Sequence, residues 1–323
     1  MKTLKWGLIG AGDIARKRIA PALRDLENCD FVSVSRRQDG KAEAFAREFG
    51  ARKWFADWTD HVADPEIDAV YIATPVYLHT GQAIAAAEAG KHVLVEKPMA
   101  LSPNNCDKMI EACEANGVKL GVAYYRRFYP VLARVKEIIA SGEIGGATLA
   151  QINAFEYVDM TPDDPRHWFL ESLKSGGGPM MDFGCHRIEL LVDIFGRVLQ
   201  TGSTISHAAF KREVEDTAIA SFQFEGGTCA SVTVTHAAIE AKDTLDIYGT
   251  KGSIHIPVLN LGEMTVNSGG SIRDESHPPH ANFHQPLIED FADAVLNGRQ
   301  PRVGGETGKE VQRLIKEIYE NDA

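Results

Sequence analysis

The hydrophobic and polar positions of this chain fall into two patterns. Through about residue 123, short apolar runs alternate with segments whose apolar residues recur at helical spacing. The runs Leu4–Ile9, Phe31–Ser35, Ala69–Ala73, His92–Val95 and Lys119–Ala123 predict buried strands. Between them the spacing predicts four helices. The first follows the turn at Gly10 and puts Ile14, Ile19, Leu23 and Leu26 on one face. The second is Lys41–Phe49, ending at Gly50. The third is the alanine-rich Leu78–Ala89, stopped by Gly90. The fourth runs from about Ser102 to Ala115, started by Ser102-Pro103. Regular alternation of strand and helix predicts an α/β fold with a doubly wound parallel sheet, of the Rossmann kind.

After residue 123 the pattern changes. One helix, Val131–Ala140, is followed by strands that alternate apolar and polar: Ala147–Tyr157, Ala218–Phe224, Thr228–His236, Thr244–Tyr248 and Ser253–Ile256. Gly226-Gly227 predicts a hairpin turn between two of them. A helix over about Met180–Phe195, ended by Gly196, interrupts the strands, and the chain closes with helices over Leu287–Leu296 and Thr307–Tyr319. This reads as an α+β domain with a largely antiparallel open sheet, giving domains 1–123 and 124–323. The polar stretch around Asn267–Asn282, with Gly269-Gly270 and Pro278-Pro279, reads as a loop and a candidate substrate-side flap.

Bulk properties narrow the function. A length of 323 residues suits two domains. A formal net charge of -11 opposes a nucleic-acid partner, because a phosphate backbone needs a basic footprint. Cys29, Cys106, Cys113, Cys185 and Cys229 are scattered without a Cys-x-x-Cys pair, which fits reduced thiols in a cytoplasmic protein and offers neither a disulfide framework nor a zinc site. No apolar run approaches the ~18 residues of a membrane span, so no membrane partner is expected, and the N-terminus lacks a signal-peptide pattern.

Gly10-Ala11-Gly12-Asp13-Ile14-Ala15, after a strand and before a helix, fits a dinucleotide-binding turn. Its first glycine permits the tight turn, its second lets a pyrophosphate approach the backbone, and Ala15 keeps the helix close to the sheet. Ser35-Arg36-Arg37 ends the next strand with no acid for a ribose hydroxyl. A serine and two arginines there favour a 2′-phosphate, hence NADP, with NAD as the alternative and a solvated turn as the bland reading. Thr74-Pro75 ends another strand, where the nicotinamide ribose should pass, or where simple turn chemistry suffices. Glu96-Lys97-Pro98 ends the strand after that, putting a lysine amine at the carboxyl end of a buried strand, where open α/β sheets bind ligands.

A second constellation lies at Gly176-Gly177-Gly178 through Asp182 and His186. Asp182 and His186 stand four residues apart at the head of a helix and so share a face. The three glycines would allow close backbone approach to a ligand. Histidine titrates near neutrality and suits general acid–base work. Cys185 between them reads as structural. No third ligand at motif spacing supports a metal.

With these motifs the chain resembles the glucose–fructose oxidoreductase/inositol dehydrogenase (Gfo/Idh/MocA) family over essentially its full length. The carriers are Gly10–Ala15, Ala73-Thr74-Pro75 with His79, Ala89–Pro98, Arg127-Phe128-Tyr129-Pro130, the glycine run through Asp182-x-Gly184-x-His186, Asp290-Phe291 and Pro301. The resemblance implies a Rossmann domain followed by an α/β domain whose sheet makes a homo-dimer or tetramer. It implies Lys97 as the catalytic lysine, with a Lys97–Pro98 bond often cis, Glu96 beside the nicotinamide ribose, and Asp182 with His186 as the proton-handling pair. Gly10, Gly12, Asp13, Ile14, Ser35, Arg36, Arg37, Thr74, Pro75, His79, Glu96 and Lys97 are then the cofactor-binding candidates. Tyr125, Arg127, Trp168 and His186 are the substrate-binding candidates, and Glu156, Asp159, Arg166, His167 and His236 are further pocket candidates. Glu189 where the family commonly has Asp, Phe169 after Trp168 instead of a basic residue, and Leu78 near a usual Asn are departures bearing on the pocket. The implied activity is hydride transfer to or from a sugar, keto sugar or polyol. The alternatives are a redox-cycling sugar enzyme with a tightly held cofactor and a non-catalytic NADP(H) sensor.

Overall fold

The computed structural model describes residues 2–37 and 39–321. They divide into two units, Met1–Tyr125 with Ala281–Gln312, and Arg126–His280 with Arg313–Ala323. In the first unit the strands are β1 (Leu4–Ile9), β2 (Cys29–Ser35), β3 (Lys53–Phe55), β4 (Ala69–Ile72), β5 (His92–Val95) and β6 (Leu120–Val122). They form one all-parallel sheet in the order β3-β2-β1-β4-β5-β6. Parallel strands covered on both faces must be apolar throughout; accordingly all of β4 and the Val93–Val95 part of β5 are buried. The order reverses between β1 and β4, so a crevice opens past Ile9 and Ile72, the place where such sheets bind ligands.

The helix after β1 opens as a π turn over Ala15–Ile19 and continues as α-helix over Ala20–Asp25. Ile19 and Leu23 are fully buried, but Ile14 is 37% exposed and does not share their face as the periodicity suggested. Its backbone is already helical, but it lies in the first turn of the helix, where its side chain is left partly in solvent. Helices Asp39–Phe49, His79–Glu88 and Pro103–Ala115 complete the alternation, the last capped by Ser102 Oγ, which accepts from Asn105 N. β3 carries too short a run to stand out in the sequence.

The boundary near 123 needs a correction at the other end of the chain. Residues 281–312, read as part of the second domain, fold with the first unit. Phe291 on helix Gln285–Leu296 packs on Trp6, ring centroids 5.5 Å apart, and Val122 N donates to Val303 O at 3.0 Å. Periodicity shows that a helix has an apolar face but not which core receives it.

The second unit holds β7 (Ala147–Tyr157), β8 (Val198–Ser206), β9 (Thr217–Phe224), β10 (Cys229–Thr235), β11 (Ala237–Gly249), β12 (Gly252–Ile256), β13 (Glu263–Ser268) and β14 (Ser271–Ser276). Their order is β14-β13-β12-β11-β7-β10-β9-β8, antiparallel except for β7 against β10. Ala218, Ala220, Phe222 and Phe224 of β9 are buried while the residues between them face out, the alternation of a sheet covered on one side. A π turn over Met180–Gly184 leads into helix Cys185–Phe195, and both pack on β10. The stretch expected to be a loop over 267–282 is largely the hairpin β13–β14, turning at Gly269 and Gly270 with φ of +58° and +84°. Its polar composition hid it, because an edge strand need bury little. Among the described residues no helix is long and apolar enough to cross a membrane.

Candidate functional site

The turn after β1 is shaped by its neighbours. Gly10 N donates to Ser35 O at 3.0 Å, and its φ of +99° is a conformation that favours glycine. A Cβ there would stand 2.7 Å from the carbonyl oxygen of Ala73. Gly12 differs: a Cβ on it would meet nothing within 4 Å, so the missing side chain leaves open space above the turn. Arg16 N bonds Gly12 O at 3.0 Å and starts the helix, whose first amides form an anion-binding end. Asp13 and Ile14 are exposed on this turn.

At the end of β2, Ser35 is 2% exposed and its Oγ has no hydrogen-bond partner among the described residues. A buried unpaired hydroxyl is costly unless a ligand completes it. Arg36 Nη1 donates to Ala11 O at 2.8 Å, which holds its guanidinium over the turn, and Arg37 is exposed. Clearance at Gly12, a helix N-terminus, an orphaned hydroxyl and two cations fit a dinucleotide.

The ends of β4 and β5 are tied together. His79 is buried, with Nε2 2.8 Å from Thr74 O and Nδ1 3.1 Å from Pro98 O. It therefore acts on both loops through their backbones. Thr74 Oγ1 donates to Gln82 Oε1 at 2.6 Å, while Pro75 leads into the short helix Val76–Leu78. The Lys97–Pro98 bond is cis, as the resemblance implied.

Glu96 is 7% exposed; its Oε1 accepts from Tyr71 OH at 2.9 Å and lies 3.2 Å from His284 Nε2, and its Oε2 accepts from Lys97 N at 3.2 Å. Burial pushes its carboxyl up, but His284, the Lys97 ammonium and Tyr71 outweigh that and hold it below the usual range. His284 went unnoticed in the sequence because it lies 188 positions from its partner. It stacks on Tyr125 at 4.5 Å, and Tyr125 on Phe283 at 6.2 Å. The phenol ring of Tyr125 is thus fixed by the returning segment.

In the second unit, Asp182 lies in the π turn and is part-exposed, whereas His186, one turn on, is 2% exposed. Cys185 Sγ is 3.0 Å from Asp182 O, a local structural contact. His236 Nε2 stands 3.9 Å from Asp182 Oδ2. Burial drives the His236 imidazole down to about 4.

The glycine run serves a different purpose from the one read in the sequence. A Cβ on Gly177 would stand 2.6 Å from Tyr319 Cζ and overlap its hydroxyl, and one on Gly178 would overlap the Glu215 carbonyl oxygen. The close approach is to Glu215 and Tyr319, not to a ligand. Glu215, 2% exposed, accepts from Gly178 N at 2.7 Å, Met180 N at 3.0 Å and Tyr319 OH at 2.9 Å. Burial raises its carboxyl pKa despite these donors. No motif spacing announced Glu215; only the fold brings it to the turn that carries Asp182.

Two substrate candidates are engaged with neighbours. Arg127 Nε donates to Glu189 Oε1 at 2.5 Å and lies 3.5 Å from Asp193 Oδ1. Trp168 is half-buried and stacked on Phe169 at 4.0 Å. Glu189 is fully buried; burial, with Asp193 nearby, pushes its carboxyl up to about 7 even against Arg127. Among the described residues no three His, Cys, Asp or Glu side chains cluster as a metal site.

Comparison with known proteins supplies the lineage. Residues 4–124 match the oxidoreductase family with an NAD-binding Rossmann fold, and residues 132–255 match the GFO/IDH/MocA C-terminal domain. The chain is 32% identical over 290 residues to Oxidoreductase P35 of Formosa agariphila, covering 88% of this chain and 89% of that one. It is 31% identical over 313 residues to 1,5-anhydro-D-fructose reductase of Ensifer adhaerens, covering 94% and 92%. Among solved structures, aldose-aldose oxidoreductase from Caulobacter crescentus, complexed with glycerol, superposes with a TM-score of 0.91 at 25% identity, covering 99% and 98%. With both domains matched and relatives above 30% identity aligned over most of their length, the chain belongs to the GFO/IDH/MocA family of NAD(P)-dependent oxidoreductases.

Proposed function

We propose that this protein transfers hydride between NADP(H) and a carbonyl or secondary-alcohol carbon of a sugar, keto sugar or polyol. The observation that carries the reading is Glu96-Lys97-Pro98 at the carboxyl end of β5, in a sheet whose β1 turn is cleared for a dinucleotide. The names of the relatives, a 1,5-anhydro-D-fructose reductase and an aldose-aldose oxidoreductase, support a sugar-like substrate.

Gly10, Gly12, Asp13 and Ile14 would hold the pyrophosphate, and Ser35, Arg36 and Arg37 the 2′-phosphate. Thr74, Pro75, Glu96 and Lys97 would border the nicotinamide ribose. The nicotinamide, when bound, supplies or accepts the hydride. In oxidation His186 takes the proton of the reacting hydroxyl, and in reduction it returns one. Lys97 is proposed to donate a hydrogen bond to a substrate oxygen and to stabilise negative charge as it grows. Asp182 orients that proton transfer. Tyr125 and Trp168 offer aromatic faces suited to the C–H surface of a sugar ring. The outward face of the second sheet, which includes Ile219 at 46% and Tyr248 at 37% exposure, is the proposed homo-oligomer surface.

The test is a panel of sugars, polyols and keto sugars assayed with NADP(H) and NAD(H) side by side. Turnover of at least one such substrate with NADP(H) preferred is expected. No turnover across the panel would overturn the substrate class, and a strong NAD(H) preference would overturn the role given to Ser35-Arg36-Arg37.

A further inference from the structure

His236 directly follows β10 and is 1% exposed. Its Nδ1 lies 3.1 Å from Nη2 of Arg212. A guanidinium can only donate, so Nδ1 must accept, and in the neutral ring the proton then resides on Nε2. Arg212 is itself fixed: Nη1 donates to Val158 O at 3.1 Å and Nη2 to Glu215 O at 2.8 Å. The Nε2–H has no hydrogen-bond partner among the described residues and lies 3.9 Å from Asp182 Oδ2. Phe183 closes one side of the ring, edge-on at 5.0 Å. A buried donor left unmade is costly, and a shift of about 1 Å would complete this bond. Hydrogen bonds of a reactive site are often long before substrate arrives.

We infer that Arg212 and His236 are positioning residues for the reaction: Arg212 selects the Nε2–H tautomer of His236, and that N–H fixes the orientation of the Asp182 carboxylate when substrate binds. Strong burial, which keeps the imidazole neutral near pH 7, agrees with this role. The inference rests on Asp182 serving the proposed chemistry.

Two measurements test it on the full chain. The first needs no substrate: nitrogen NMR of the ¹⁵N-histidine-labelled protein at neutral pH should show His236 protonated on Nε2 alone, and Arg212→Met should mix the tautomers. A charged ring, an Nδ1–H tautomer, or no change in Arg212→Met overturns the inference. The second is kinetic. His236→Gln keeps a donor near Nε2, whereas His236→Leu removes it. His236→Leu should lower turnover about tenfold with the KM for cofactor unchanged, and His236→Gln should recover most of the loss. Equal activity in both variants, or equal loss in both, overturns the role at Asp182. Failure to find any oxidised or reduced sugar in the wild type would count against the proposed function and leave the tautomer result standing on its own.

Discussion

Alanine at Gly177 and at Gly178 should both destabilise the second unit, yet differ in what relieves them. At Gly178 the first atom met is the backbone oxygen of Glu215, the same oxygen that Arg212 binds at 2.8 Å. Backbone so held cannot retreat, so overpacking should reach the upper end of its usual cost, about 3 kcal/mol. For a domain of this size that is a fall in Tm of about 6–12 °C. Trimming the Glu215 side chain cannot help, because its carboxyl carbon, at 2.9 Å, is only the second obstacle. At Gly177 the obstacle is the tip of the Tyr319 side chain. Tyr319→Phe removes the overlapping hydroxyl but leaves the ring carbon at 2.6 Å, so relief should be partial. Double-mutant cycles read by thermal denaturation without ligand should therefore give a coupling of at least about 0.5 kcal/mol for Gly177→Ala with Tyr319→Phe. Gly178→Ala with Glu215→Ala should show no restoring term. If Glu215→Ala restores Gly178→Ala, or Tyr319→Phe leaves Gly177→Ala unimproved, the packing account of the glycine run is wrong.

Three further outcomes follow from the sites. Lys97→Ala should lower turnover by about 10²–10³-fold while cofactor affinity, measured by fluorescence titration, is largely kept; wild-type turnover would remove Lys97 from the chemistry. Ser35→Asp adds an acid where a ribose hydroxyl would lie and repels a 2′-phosphate, so kcat/KM should move toward NAD by about 10–100-fold; an unchanged ratio would contradict the assignment. Glu189, raised from 4.5 to about 7 in the fold, keeps a proton that the unfolded chain has lost, so stability should fall as pH rises through that window, by up to about 3 kcal/mol. Glu189→Gln should flatten this slope in urea midpoints compared at pH 5 and pH 8, and an identical slope in both proteins would refute it.

The Rossmann half was legible because strands buried on both faces leave continuous apolar runs, and because Gly10 and Gly12 mark a turn whose demands are local. Strands at sheet edges were not. β8 buries little beyond Val198, and β14 reads Ser-Ile-Arg-Asp-Glu-Ser, so neither has a face that composition can reveal. Of the site, Lys97, Asp182 and His186 announce themselves by sequence neighbours. His284, Glu215 and Arg212 do not, since each acts through a contact that exists only after folding. The glycine run was legible as a close approach, but what approaches it is a glutamate and a tyrosine far along the chain.

The return of residues 281–312 to the first unit has a consequence for biosynthesis. Trp6 meets Phe291, Glu96 meets His284, and Val122 meets Val303, so the Rossmann core lacks part of its interior until the ribosome has passed the whole of the intervening segment Arg126–His280. Most proteins fold their N-terminal domain first as the chain emerges. Here the segment Arg126–His280 interrupts the sequence of the first unit, and the domain that begins translation cannot be completed until residues 281–312 have been made. A nascent chain stalled near residue 125 would carry the dinucleotide turn with its supporting wall still unmade.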